Sequence, residues 1–431
     1  MNYDVVIVGA SFSGLTLAHH LPKDLNVLVL DLKKNLDAYI ESTGLITQAT
    51  YDLLAGFVNV ERYVSNKIIA IGVVGTDFDR NFFSYSDSPW IYSTDTPQLV
   101  KHMSETLPKN VTLSINSKFT DYKTDQNDDF PLEIAFLKNG QEHTVRSKFI
   151  VGADGARSSV AKSNKSLSRN KKFLIGLEKV FYGDILLGSN PDKTVYHYWF
   201  GEFSLGYGGW LSPTIINGKR AFRLGLAKLS KNANGFGKIK DFVEMLKRKN
   251  MIKVEDSTDE ILTFASMIPI GGPLKNVYDD YSLLIGDAAG LCGAFATDGI
   301  KGSVVSGKVA AKLISAHLNG GKNVLKNFHK EIQKYNKLMK YYRKQVLYRW
   351  LWNRMKSNRT FDTMFDIISR SKEDFLSQFC DSKDRHKSLL SIVLKLSNFP
   401  LLLKYSWYIF LDLFKINRPP PCGESLGGRS Q

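Results

Sequence analysis

Four short apolar runs along the chain stop at a glycine or an aspartate. Residues 3–8 end at Gly9, residues 27–30 at Asp31, residues 149–151 at Gly152, and residues 283–285 at Gly286-Asp287. Runs this short, bounded by turn residues, predict buried strands. Helical spacing follows two of them. In YDVVIVGASFSGLTLAHHL a strand, a glycine turn and a helix succeed one another, with the His19-His20 pair expected on the helix surface. From Gly299 a second helix runs through Val309, Ala310 and Ala311. Between 322 and 359, Leu325, Phe328, Ile332, Tyr335, Met339, Tyr342 and Val346 recur every three or four residues, which predicts one amphipathic helix. Residues 389–414 read as two apolar helices joined at Asn398-Phe399-Pro400, because Pro400 biases Phe399 away from helix.

Lys395, Pro400, Lys404 and Asp412 interrupt that last stretch. No run therefore approaches the roughly 20 apolar residues needed to span a bilayer. A strand pattern begins at residue 3, so no signal peptide is expected. The expectation is a cytoplasmic protein, peripheral to a membrane at most. Charge sharpens this. The chain of 431 residues carries a formal +16, and residues 322–359 hold twelve Lys/Arg against the single acid Glu331. That basic face is either a solvated surface or a contact for anionic lipid headgroups, worth about 1 kcal/mol per basic residue. Nucleic acid is not expected, since no binding module accompanies the charge. Cys292, Cys380 and Cys422 lack metal-ligand or disulfide-framework spacing, so no metal is expected.

The strand ends carry the chemistry. Gly9 and Gly14 fill the first and last glycine places of GxGxxG, with Ser11 in the middle one, where backbone must approach a pyrophosphate at a helix N-terminus. Asp31, seventeen residues after Gly14, stands where a carboxylate accepts hydrogen bonds from a ribose diol. Asp154-Gly155 closes the strand of SKFIVGADGARSSV. Asp287, after Gly286, can take a hydrogen bond from a ribityl hydroxyl, while the helix starting at Gly299-Ile300 aims its amides at a flavin's pyrimidine edge. Small residues between them leave room for a flat ring, and the dinucleotide these features suit is FAD.

GASFSG, ADGARSSV and GDAAGLCGAFATDGIKGSVVSGKVAA, in this order, resemble the FAD-dependent aromatic hydroxylase superfamily and, within it, the geranylgeranyl reductase family. The resemblance covers roughly residues 1–320. It implies an α/β (α+β overall) protein: a Rossmann-like FAD-binding domain, an inserted antiparallel β-sheet substrate domain and a helical C-terminal cap. The expected boundaries are 1–164 and 269–345 for FAD, with a substrate-domain excursion near 60–92. Residues 165–268 form the substrate domain, 346–417 the cap and 418–431 a tail. Ala294, Thr297 and Thr96 stand where relatives carry proline, glycine and often arginine.

GGWLSP places Trp210 and Pro213 in the family's Tyr-x-Trp-x-Phe-Pro element, with Tyr207 one residue early. The resemblance makes Tyr207 and Trp210 walls of an isoprenoid-lipid cavity and sets Thr43-Gly44 near the flavin, where some relatives carry Cys-Gly. The implied activity is FAD-dependent reduction of carbon–carbon double bonds in a geranylgeranyl chain. A threonine is a poorer acid than a thiol, so the proton would come from water, Tyr207 or Cys292. The alternative is a monooxygenase of an aromatic or quinone-like ring. No second dinucleotide motif is present, so the electron donor is a reduced ferredoxin, suited to a basic surface, or transiently bound NAD(P)H.

Overall fold

In the computed structural model the four apolar runs become neighbours in one sheet. The structure describes residues 1–37, 42–126, 128–199, 201, 208–229, 238–255, 262–376 and 389–414. Asn2–Val8 lies parallel between Val27–Leu30 and Gln141–Gly152, and Val111–Ser114 extends the sheet beyond Val27–Leu30. Ser282–Leu284 joins the end of Gln141–Gly152, also in parallel. The start of that long strand instead turns into antiparallel pairing with Leu132–Lys138, which carries Ser117–Thr124. Val5, Val6, Ile7, Val27, Val29 and Leu30 are fully buried. A parallel strand covered on both faces has no polar side to display, which is why these runs do not alternate.

The second sheet orders Ile252–Val254, Phe173–Ile185, Lys219–Leu229, Gly208–Ile216, Thr194–Tyr198, Ala70–Val74 and Asn81–Tyr85, with Leu262–Pro269 also on Phe173–Ile185. Its pairs are antiparallel except Thr194–Tyr198 on Ala70–Val74. A small third sheet of Leu45–Thr47, Ile91–Thr94 and Val64–Ile68 lies apart from both in its pairing. The fold class expected from the sequence is the one observed.

Two helical expectations need correction. Residues 322–359 do not form one helix: a 3-10 turn (Val324–Asn327), a helix Phe328–Lys334 and a helix Leu338–Trp352 are separated where Asn336 and Lys337 take φ of +48° and +55°. The apolar period survives the break because Phe328, Ile332, Met339 and Tyr342 join the same core. Nor is the polar side wholly outward, for Gln345 and Arg349 are buried. At the other site Phe399 is helical, with φ −53° and ψ −45°, and opens the helix Phe399–Leu413. Pro400 sits in the first turn, where its missing N–H forfeits no hydrogen bond. His19 and His20 are half-buried, packed on Phe57, and desolvation lowers both imidazoles.

Candidate active site

The first glycine turn is fixed by packing alone. Gly9 has φ +111°, and a Cβ there would stand 2.3 Å from the Ala153 carbonyl oxygen. A Cβ on Gly14 would stand 1.9 Å from the Gly9 oxygen. Both glycines therefore let strand ends and helix close on one another. Ser11 is the N-cap of Phe12–His20 but makes no side-chain cap bond, and the first-turn N–H groups of a helix have no intrahelical acceptor. The Asp31 carboxylate accepts from the Ala10 N–H at 2.6 Å and the Lys33 N–H at 2.8 Å, tying the turn to the second strand.

The other two aspartates are differently placed. Asp154 Oδ2 accepts from the Ser159 and Val160 amides at 2.5 and 3.2 Å, while its Oδ1 is shielded from solvent without a partner. Burial pushes that carboxyl above the usual range. Asp287 Oδ1 is likewise shielded and unpartnered, and burial pushes its carboxyl up to about 6. Gly299–Leu318 starts beside it, and a Cβ on Gly299 would come within 3.0 Å of Asp287 Oδ1 and 3.3 Å of Cys292 Sγ. Burial and the two neighbouring aspartates, Asp287 and Asp298, hold the Cys292 thiol well above its ordinary pKa.

The loop between Cys292 and Gly299 is clamped from the helix Leu338–Trp352. Gln345 Oε1 accepts from the Phe295 and Ala296 amides at 2.9 and 2.6 Å, and Arg349 Nε donates to the Ala294 carbonyl at 2.9 Å. Thr297 takes φ +56°, a left-handed conformation that disfavours a β-branched residue.

Trp210, in Gly208–Ile216, lies over a hollow in the second sheet. A Cβ on Gly225 of the adjacent strand would be 1.9 Å from its ring, so only glycine leaves room for the indole. Its Nε1 donates to Glu178 Oε2 at 2.7 Å, and Glu178 Oε1 meets Arg223 Nη1 at 3.2 Å. Glu178 and Arg223 are buried, at 1% and 4% exposure. Burial raises the Glu178 carboxyl, a rise that Arg223 opposes without cancelling. This pair was not foreseen. Its signal is Glu178 in FLIGLEKVFYGDI and Arg223 in KRAFRLGLAKL, each a charge set well inside its strand. Facing positions Gly225 and Val180 set the two residues diagonally across one strand pair.

A single cavity of about 520 Å³ connects these parts. Gly9, Ser11, Asp31, Asp154, Gly155, Asp287, Gly299 and Ile300 line it, as do Thr43, Cys292, Glu178 and Trp210. Gly14 and Gly286 stand behind it as packing residues. A Cβ on Gly286, at φ +57°, would come within 2.9 Å of Ser13 Oγ. A Cβ on Gly44, at φ +68°, would collide with Thr96 Oγ1, so glycine shapes the turn that carries Thr43. His197 also lines the cavity, its imidazole kept neutral by burial at a pKa of about 4. Tyr207 lies outside the described residues, as do Cys380, Cys422 and the tail 418–431.

A family profile described as FAD binding domain matches residues 2–175. Digeranylgeranylglycerophospholipid reductase of Methanocaldococcus jannaschii is 26% identical over 271 residues, 62% of this chain and 63% of that protein. The chain thus spans under two thirds of that relative's length. Digeranylgeranylglycerophospholipid reductase 1 of Methanosphaera stadtmanae is 26% identical over 78% of this chain and 80% of its own. Among solved structures, a geranylgeranyl bacteriochlorophyll reductase-like protein of Thermoplasma acidophilum superposes with a TM-score of 0.73 at 17% identity, over 96% of this chain and 99% of that one. The chain carries an FAD binding domain and is similar in sequence to digeranylgeranylglycerophospholipid reductases.

The residues of this flavoprotein fit FAD. The uncapped helix start at Ser11 suits the pyrophosphate. Asp31 retains acceptor positions beyond its two amide bonds for the ribose. The unpartnered oxygens of Asp154 and Asp287 are buried acceptors that hydroxyl donors of the cofactor would satisfy.

Proposed function

We propose that this flavoprotein saturates carbon–carbon double bonds in an isoprenoid chain, a geranylgeranyl lipid by preference. The observation that carries this is the single cavity, in which the FAD-binding turns and a sheet wall bearing Trp210 and Glu178 share one space. Bound and reduced, FAD supplies a hydride. The chain's own residues do the rest. Trp210, Val195, Leu211, Phe264 and Ile268 line the cavity and offer a polyprenyl chain an apolar wall. Thr43 and Gly44 shape the side that faces the flavin, and Tyr207 precedes the Trp210 strand in sequence. Glu178 stands beside that wall, and burial raises its carboxyl pKa above that of an ordinary glutamate against the pull of its partner Arg223. Saturation of an alkene needs a proton on the second carbon. Glu178 is thus a better placed acid than Thr43, a weakly acidic hydroxyl, or Cys292, whose thiol is held firmly protonated.

Electrons come from a reduced donor, ferredoxin or NAD(P)H, since the sequence offers nicotinamide no domain of its own. One observation favours a second reading, oxygenation of an aromatic or quinone-like ring: Thr43 stands where a reductase profits from a thiol. The test is anaerobic. The purified protein is reduced chemically, a digeranylgeranyl glycerophospholipid is added, and products are weighed. A gain of one H₂ per double bond supports the reductase. A product that forms only in air and gains one oxygen atom favours the second reading.

A further inference from the structure

The terminal helix Phe399–Leu413 has two unlike faces. Inward, Tyr405 and Ile409 pack on an apolar cluster that contains Trp90, Val195, Trp352 and Phe361. Outward, Phe399, Leu403, Trp407 and Phe410 are 59%, 59%, 58% and 44% exposed, and Phe414, just past the helix, is 63% exposed. Their spacing of four, four, three and four residues makes one stripe. Trp407 stacks on Phe410, and Phe410 leans on Phe414, so the stripe is a ridge of rings already assembled. Leu394 and Leu396, 65% and 92% exposed, precede it.

Cations flank this ridge. Lys404 and Arg359 both stand by the Tyr408 ring, and Arg370 donates to the Ser397 carbonyl. Asp412 is the sole acid of residues 389–414. It is turned inward, 6% exposed, where it accepts from the Lys356 and Ser357 amides and the Thr360 hydroxyl. No described helix is long and apolar enough to cross a membrane.

We infer that this helix lies in the headgroup layer of an anionic lipid bilayer, with the Leu403–Trp407–Phe410 ridge inserted among the acyl chains. An apolar ridge flanked by cations, on a segment 389–414 whose one acid is buried, has the chemistry of an interfacial helix. A second copy of this chain is the poorer occupant, because each carries a net charge of +16 and like charge opposes association. Trp90 and Val195, in the cluster beneath the helix, also line the cofactor cavity. If the reductase reading holds, a lipid chain passes from bilayer to cavity along apolar side chains. Bilayer binding itself does not depend on that reading.

The test is cosedimentation of the full FAD-loaded protein with phosphatidylcholine vesicles, with and without about 30% phosphatidylglycerol. The expected result is at least about tenfold tighter binding to the anionic vesicles, with a blue shift of emission that Trp407→Phe removes. A Leu403→Glu/Phe410→Glu variant that keeps its FAD and its circular dichroism should lose about tenfold or more in vesicle affinity. Wild type left in the supernatant with both vesicles overturns the inference, and so does a double variant that binds like wild type. A double variant that turns a dimer into a monomer while vesicle binding persists overturns it as well, assigning the ridge to a second copy. Absence of turnover on detergent-dispersed lipid, with vesicle binding intact, counts against the reductase reading alone.

Discussion

A glutamate, an indole and a guanidinium meet inside the second sheet, and their arrangement sets the first prediction. Glu178→Gln keeps an oxygen for the Trp210 N–H but removes the acid. The expected outcome is full FAD content with kcat lower by about 10²-fold. Because the Glu178 pKa is raised, the wild-type rate should be highest at low pH and fall as pH climbs through that pKa, a limb the variant lacks. A variant retaining wild-type kcat would remove Glu178 from proton transfer. Asp287 gives a stability prediction. Its folded pKa of about 6 exceeds the ordinary 3.8, so its contribution is fully present below about pH 3.8 and is lost as pH rises through 6. In FAD-free protein Asp287→Asn should therefore stabilise by about 3 kcal/mol at pH 7.5 and by about 1 kcal/mol at pH 4.5, read as melting temperature. The same change should weaken FAD binding. Thr297→Gly relieves a left-handed β-branched residue and should stabilise by about 1 kcal/mol. Asp31, Asp154 and Asp287 stood out in the sequence because each closes a strand, the last two beside glycines. Glu178 and Arg223 did not, since pairing across strands is invisible until the register is known.

Helices and strands show where patterning informs and where it misleads. The period of apolar residues in 322–359 reported a shared core and not a continuous helix, because two helices on one core preserve the same spacing. The same residues looked like a basic solvent face, yet Gln345 and Arg349 turn inward to hold the loop beside Cys292. Gln345→Ala leaves two loop amides without their acceptor and should cost about 1–3 kcal/mol in thermal unfolding. It should also raise the Kd for FAD, measured by flavin fluorescence. An unchanged Kd would mean that the loop holds its shape unaided. In the second sheet, Gly225→Ala would drive a methyl group into the Trp210 ring. A loss of about 1–3 kcal/mol and altered tryptophan emission are expected. Wild-type stability would show that the indole has another resting place. The strand ends before Gly9, Asp31 and Gly152 were readable to within a residue or two, since buried parallel strands leave apolar runs, whereas the antiparallel start of Gln141–Gly152 was not.

Across the whole molecule, the first sheet and the second sheet both contribute lining residues to one cavity. The first brings turns that fit FAD, and the second brings Trp210 and Glu178. Helices at the C-terminal end cover the apolar edge of the second sheet, and the outermost presents the ridge assigned to the bilayer. Sequence alone separated a cofactor part from a substrate part. It also set an excursion near 60–92 with the substrate part, and strands from residues 70–85 lie in the sheet built mainly from 173–269. The meeting of the two parts in one cavity is the central claim, and stopped-flow absorbance tests it most directly. Chemically reduced protein is mixed without oxygen against a geranylgeranyl phospholipid, and the flavin band is followed. The account predicts return of the oxidised band at a rate that rises with lipid concentration and drops about 10²-fold in Glu178→Gln. A band that stays bleached until oxygen is admitted would contradict it.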